Sequence, residues 1–405
     1  MPAARRLLAA LLAGLAASAS ASAATAPADT ASSWPQYRGP NRNGISPEKG
    51  LFTNLKDGAQ QVWKASLGTG FTSIAVANGL VFASGNTADM DTLFAFDAES
   101  GAPAWKYTYP AKLDPNQYEG GPNATPTVAG GAVYGFSKEG FAYCLEAKTG
   151  KEVWKKNVAQ EVGAAPPAWG FSGSPTIEGA ALYLNVGKYG CCLERATGKV
   201  VWKSANDKAG YSTPLPFPTA KPTCLLIFNN AALAAVDPAA GKMLWEEPWT
   251  TSWGVNASDP VIVGNRIFIS TGYDYGCALL DVSSGKPTEV WRNKAMRNHF
   301  NTGVLLEGCL YGFDDSTLKC IDLETGTQKW EQGGLGKGSL SAAEGKLVVL
   351  SDKGELVIAD ASPAGFKELA RTQVLTGKCW TSPAIANHKI YCRNAKGTLV
   401  CLAVK

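Results

Sequence analysis

Six tryptophans recur at nearly even spacing, and each closes a segment built on one plan. The segments read AFDAESGAPAW, CLEAKTGKEVW, CLERATGKVVW, AVDPAAGKMLW, LLDVSSGKPTEVW and CIDLETGTQKW. They end at Trp105, Trp154, Trp202, Trp245, Trp291 and Trp330, so successive tryptophans lie 49, 48, 43, 46 and 39 residues apart. A period in the forties matches one four-stranded sheet per repeat, whereas solenoid repeats of that length are helical. The residues between are rich in Val, Tyr, Phe and Gly, which suit strands joined by tight turns.

Each unit follows the same course. A first strand entered through small polar residues (TPTVAGG, GSPTIEGA, SDPVIVGN, TSPAIANH) leads through a Gly or Asn turn to a second (VYGFS, LYLNV, IFIST, IYCRN). A third runs into the acidic-x-x-Thr/Ser-Gly turn, and the tryptophan stands on the fourth. A seventh unit, GKLVVLSDKGELVIADASPAGFKEL, has Leu369 where the others have tryptophan. The eighth stops at Lys405 before its fourth strand, while an orphan strand, Gln60 to Leu67 with Trp63, lies at the other end of the chain. Pairing the two leaves no open edge. The expected fold is all-β: an eight-bladed β-propeller of four-stranded antiparallel blades, closed by the N-terminal strand, in one domain over residues 60–405.

Residues 1–23 have the form of an export signal, with Arg5 and Arg6, an apolar stretch from Leu7 to Ala17, and Ala21-Ser22-Ala23 as a small-residue cleavage site. That stretch is shorter than the roughly 20 residues needed to span a bilayer. No cysteine precedes Cys144, so no lipid anchor is expected, and the mature protein should be a soluble periplasmic or secreted monomer. Residues 24–59 form an N-terminal extension containing WPQYRGPNRNGIS. The net charge of +4, which falls to +2 once the two signal arginines leave, gives no case for nucleic acid or a membrane surface. The absence of C-x-x-C-H speaks against covalent haem. With no C-x-x-C or H-E-x-x-H, and only His299 and His388, zinc is not expected. Asp89/Asp91 and Asp314/Asp315 are read as hairpin-tip residues.

The repeated [AC]-[LIV]-[DE]-x-x-[TS]-G-K-x-x-W resembles the repeat of pyrroloquinoline-quinone (PQQ) propellers. That group includes quinoprotein alcohol dehydrogenases and the propeller lipoprotein of the outer-membrane β-barrel assembly machine. The opening Trp34 to Ser46 is also similar to the start of many exported members. The resemblance implies the propeller fold across nearly the whole mature chain. It implies no single function, because the repeat residues are mostly structural.

Cys191 and Cys192 raise the question of a redox-active ring. Six residues before the turn glycines stand Ala95, Cys144, Cys192, Ala235, Leu279 and Cys320, with Cys401 matching in the eighth unit. Cys192 therefore fills a repeat slot open to small apolar residues, which favours packing over chemistry. In quinoprotein alcohol dehydrogenases the adjacent-cysteine ring lies over the cofactor, and the position inside a strand does not correspond. Cys309 with Cys320 and Cys392 with Cys401 lie on neighbouring strands and could approach one another.

The loops entering the first strands converge on the mouth of a propeller's central channel. They bring Phe71, Asn123, Trp169, Tyr211, Trp253, Asn256, Asp259, His299, Asn301, Lys337 and Trp380 toward one funnel. Aromatic walls with a few polar groups describe a ligand pocket, and the same residues could instead plug the channel neck. Three functions compete. A binding or scaffold propeller would hold a protein partner, small molecule or glycan at the mouth, with Trp169, Trp253, Asn256, His299, Asn301, Lys337 and Trp380 as candidates. A quinoprotein dehydrogenase would hold PQQ with calcium, taking Asp259 as base and Asn256 or Asn301 beside the cation. A carbohydrate-binding or carbohydrate-modifying propeller would use the tryptophans as sugar platforms. The binding propeller is favoured, because blades of about 45 residues leave little chain for the insertions that build a cofactor pocket.

Overall fold

The computed structural model describes residues 32–205, 207–220 and 222–404, so residues 1–23, expected to be an export signal, lie outside them. Eight sheets follow one another along the chain, each built on four antiparallel strands, and Ile45–Ser46 adds a short fifth strand to the seventh. Blades 1 to 7 occupy residues 75–110, 127–157, 176–203, 215–248, 261–293, 304–332 and 339–373. Blade 8 takes three strands from residues 384–404 and its fourth from Ala59–Ser66. That strand runs antiparallel to Thr398–Val404, from Ala59 opposite Val404 to Ser66 opposite Thr398. The ring therefore closes as the repeat requires.

The repeat signature becomes a joint between blades. On the seven outer strands that carry the tryptophan a bulge falls just before it, as between Gln61 and Trp63 and between Glu152 and Trp154; in blade 7 the bulge takes Leu369, and Ala370 stands in the tryptophan's paired place opposite Ile358. The bulge turns Val62, Val153, Val201 and Val290 to solvent and Trp63, Trp154, Trp202 and Trp291 inward. The inward indole meets the next blade. Trp63 Nε1 donates to Ala98 O at 3.1 Å, Trp105 to Ala147 at 3.0 Å, Trp154 to Arg195 at 3.0 Å and Trp202 to Pro238 at 2.9 Å. The turn glycine of that next blade lies under the ring, and a Cβ at Gly150 would come 2.5 Å from Trp105. Gly150 also has φ of 73°, so both the close approach and the backbone select glycine. The seam after Trp245 departs from the plan: its turn is longer, and nothing lies within 4 Å of a Cβ at Gly285.

The slot six residues before the turn glycine proves to be the cross-strand partner of the tryptophan. Cys144 faces Trp154, Cys192 faces Trp202, Cys320 faces Trp330 and Cys401 faces Trp63. A small side chain there leaves room for the indole. Central strands are covered by a blade on each side and are buried along their length, as in Cys224–Phe228 and Ala232–Val236. All ten cysteines are buried and free. Burial raises the thiol pKa of Cys191, and that of Cys192 to about 11, which suppresses the reactive thiolate.

The hairpin in blade 1 turns at Ala88 and Asp89, both with positive φ. Asp91 is therefore not at a tip: it lies fully buried on Met90–Asp97, opposite Asn86. Asp314 is likewise buried, on the strand Cys309–Asp314, with Arg297 and Lys319 each at 2.7 Å, while Asp315 takes the turn.

Candidate functional site

The residues entering the first strands form a belt around the channel neck. One repeat slot holds Ser73, Thr125, Ser174, Thr213, Asp259, Thr302, Ser339 and Ser382, two residues before the first strand in seven blades and at its first residue, Ser339, in blade 7. From Ser73 to Asp259 the backbone N–H of one slot donates to the side chain of the next blade's slot. Ser73 N bonds Thr125 Oγ1 at 2.9 Å, Thr125 N bonds Ser174 Oγ at 3.0 Å, and Ser174 N bonds Thr213 Oγ1 at 3.3 Å. Thr213 N then donates to Asp259 Oδ1 at 2.8 Å, and Asp259 N to Thr302 Oγ1 at 2.7 Å. These N–H groups precede the sheet ladders and would otherwise be buried without acceptors. A single carboxylate interrupts a ring of hydroxyls.

Below the belt, the N-terminal extension crosses the channel. Trp34 pairs with Val76 of blade 1 in both directions at 2.8 Å, and Pro35 O accepts from Val128 N of blade 2. Arg42 reaches Ile177 O and Glu178 of blade 3. The chain then passes to the far side. Arg38 donates to Thr302 O at 3.0 Å and Gly303 O at 2.9 Å beside blade 6, and Ile45–Ser46 pairs in parallel with Ala342 and Ala343 of blade 7. Glu48 accepts from Asn387 N and His388 N in blade 8. The segment seals one end of the channel, which becomes a cup.

The cup encloses about 280 Å³. Tyr37 of the seal lies at its base, with the belt residues Ser73, Thr125, Ser174, Thr213, Asp259 and Ser382 around it. Above them an aromatic arc runs from ring to ring: Tyr118 to Phe71 at 5.5 Å, Phe71 to Trp380 at 5.9 Å, Trp380 to Phe300 at 4.8 Å and Phe300 to His299 at 5.2 Å. Trp169 and Tyr211 face each other at 6.0 Å on another part of the wall. Trp169 is held by a bond from its Nε1 to Asn116 O, and Asn123 Nδ2 reaches Trp169 O and Ser172 Oγ.

The candidates separate on this geometry. Trp169, Asp259, His299, Asn301 and Trp380 line the cup, with Phe71, Asn123 and Tyr211. Asn256 lies behind the wall: its Nδ2 donates to Asn229 O and Trp249 O, and its Oδ1 accepts from Thr271. Trp253 stands outside, 69% exposed. Lys337 is at the rim, paired with Asp315 at 2.8 Å and 3.2 Å from His299 Nδ1. Tyr37 and Arg38 were not among the candidates. The motif Trp34–Ser46 was visible, but nothing in it announced that it turns into the channel.

Burial dominates the electrostatics. It lifts the Asp259 carboxyl to about 6, against the opposing pull of Arg38. Burial beside Asp259 raises Tyr37 to about 12. His299 drops to about 4 through burial and then the Lys337 charge, so it is a neutral ring at physiological pH. No group of three or more His, Cys, Asp or Glu able to hold a metal occurs among the described residues. PQQ carries several carboxylates and needs a divalent cation beside it. The cup has one carboxylate, no lysine or arginine in its lining, and an Asn256 whose amide is already bonded on both sides. These residues do not fit that group.

A closed eight-bladed ring of PQQ-type repeats, sealed below and open above, defines the class: a propeller with a blind axial cup. Within that class, the chain belongs to the family described as outer membrane protein assembly factor BamB, whose model matches residues 51–134, 112–332 and 314–405. The assembly factor of Moranella endobia is 26% identical over 321 residues, covering 75% of this chain and 72% of that one. Tetrathionate hydrolase of Acidithiobacillus ferrooxidans is also 26% identical, over 242 residues, and the chain spans only 41% of its length. Among solved structures, BamB from Moraxella catarrhalis has a TM-score of 0.63 at 16% identity, covering 85% of this chain and 99% of that one. A europium-containing methanol dehydrogenase has 0.70 at 12% identity, covering 92% and 98%. At such identities the structures share the fold alone.

Proposed function

We propose that this chain is a binding propeller of the cell envelope that receives its ligand, or a projecting group of a protein partner, in the axial cup. One observation carries this: the channel is closed by Trp34–Ser46 and open at the aromatic mouth, so it is a receptacle and not a pore. An aromatic wall over a polar floor is the ordinary construction of a ligand site. The leader-like residues 1–23 and the membership in a family of outer-membrane assembly factors support an envelope location. No helix among the described residues is long and apolar enough to cross a membrane. The dehydrogenase reading has the raised carboxyl of Asp259 in its favour and the missing cation ligands against it.

The test is ligand retention. Native mass spectrometry of the parent, Trp169→Ala and Trp380→Ala proteins after incubation with envelope extract should show a small ligand or partner kept by the parent and weakened in both variants. Binding lost only in Trp253→Ala would move the site to the outer rim. A bound-quinone absorption with PQQ and calcium, together with alcohol oxidation abolished by Asp259→Asn, would replace the proposal by the dehydrogenase.

A further inference from the structure

We infer that the cup selects a small organic cation, a methylated or primary ammonium compound, held between the aromatic wall and the Asp259 carboxylate. The inference rests on the cup being the binding site and adds the chemistry of what it takes.

Three observations converge. First, the slot of Asp259 is hydroxyl in the other seven blades, and a hydroxyl suffices to accept the neighbouring N–H. The carboxylate is therefore more than the belt needs, and it alone brings negative charge into the lining. Second, no direct cation satisfies it among the described residues. Arg38 and Arg42 face it from the seal, with Tyr37. Yet Arg38 bonds the carbonyls of Thr302, Gly303, Arg42 and Asn43, and Arg42 pairs with Glu178 at 2.9 Å. Third, the walls are aromatic, and π faces attract ammonium groups when water is excluded. The two rim lysines are already neutralised, Lys378 by Glu119 and Lys337 by Asp315, so they leave the entrance without free positive charge. Lys378 itself stands over the Trp380 ring at 4.1 Å, showing that this indole accepts an ammonium. An anionic ligand would meet the buried carboxylate, and a neutral ligand would bring it no direct countercharge.

The test compares choline with dimethylbutanol, its uncharged carbon isostere of the same shape, by calorimetry and tryptophan fluorescence on the full chain. Choline should bind about tenfold or more tightly, the value of one good cation–π or charge contact. The preference should shrink between about pH 7 and 5 as Asp259 takes a proton. Asp259→Asn should abolish it, and Asp259→Ser, which restores the residue type of the other blades, should do the same with the fold kept. Equal affinity for both probes, or a preference unchanged in Asp259→Ser, overturns the cation while leaving the cup as a binding site. Binding of a neutral methyl glucoside in place of choline does likewise. Silence of every probe toward parent protein, with Trp380→Ala also without effect on any retained ligand, overturns cup and cation together. An acetyl-lysine methylamide that binds where choline does not would transfer the site to a protein-borne lysine and overturn the free small cation.

Discussion

Trp63 and Gly101 meet across the seam where the ring closes: a Cβ on Gly101 would lie 2.5 Å from the indole of Trp63. The same indole donates to Ala98 O, so the strand that completes blade 8 is also locked onto blade 1. Arg393, fully buried nearby, adds bonds to Ser84 O at 2.6 Å and Thr72 Oγ1 at 3.0 Å across that seam. Burial lowers its pKa to about 9, which leaves it charged at neutral pH.

Closure by the N-terminal strand is testable at one residue. Trp63→Ala should lower stability by about 3–5 kcal/mol, the usual loss for a buried tryptophan. Removal of everything through Leu67 should in addition expose the ladder of Thr398–Val404 and cause aggregation. Thermal melts and light scattering measure both. A truncated chain as stable and as monomeric as the parent would rule the closure out.

Asp91 should make stability depend on pH. Asn86 Nδ2 donates to Asp91 Oδ1 at 2.7 Å, while Asn86 Oδ1 and Asp91 Oδ2 have no partner. A proton on Asp91 supplies a missing donor, and burial raises its pKa to about 6. Because the folded value exceeds the unfolded one near 4, the stabilisation is complete below about pH 4 and is lost as pH rises through 6. Asp91→Asn carries the donor permanently. In urea titrations it should be more stable than the parent by about 2–3 kcal/mol near pH 7, with the gap closing near pH 4. His299, with its lowered pKa, acts in the opposite sense, but it cancels in the difference between the two proteins. A gap independent of pH would refute the assignment.

The adjacent thiols should be dispensable. Cys191→Ala with Cys192→Ala should fold and bind as the parent does, losing about 1–3 kcal/mol from reduced packing. Intact-mass measurement should find both thiols reduced in the parent. A disulfide between them whose reduction ends binding would restore the redox interpretation.

Arg38 should hold the seal. Arg38→Met removes the donors serving four carbonyls, including Thr302 and Gly303, and should reduce stability by about 3–5 kcal/mol. It also takes away the cation that restrains the Asp259 carboxyl, so that group should titrate at still higher pH. Carboxyl infrared bands of the variant, compared with those lacking Asp259, would reveal it. An unmoved band would separate the two residues.

The ring was legible because the repeat writes the joint between blades directly into the chain: tryptophan, small partner and turn glycine recur together. Asp259 was legible only as one polar residue among the loops entering the first strands; that the other blades carry serine or threonine in its slot gained meaning from the belt. What the repeat does not encode was lost. Trp253, like Trp169, stands in a Trp-Gly pair in the loop before a first strand, yet it lies in solvent while Trp169 is tied down by Asn116. Asn256 looked available until Thr271 and two carbonyls accounted for its amide. Asp91, two residues past a turn, reads as a tip until the hairpin's register places it against Asn86. Each depends on contacts distant in sequence and unique to one blade.

The crossing segment sets an order of events. The stretch Trp34–Glu48 precedes every blade along the chain, but its partners include Gly303, Ala342 and Asn387. Synthesis or export from the N-terminus delivers this stretch long before those residues exist to receive it. Its bonds to the far side must wait for blades 6, 7 and 8, and such long-range closure is slow. Until the last blades arrive, the segment is held on one side only, by its bonds to blades 1 to 3, and the channel stays unsealed. The cup comes into being only when the chain is whole, so a nascent or truncated propeller has no receptacle to offer.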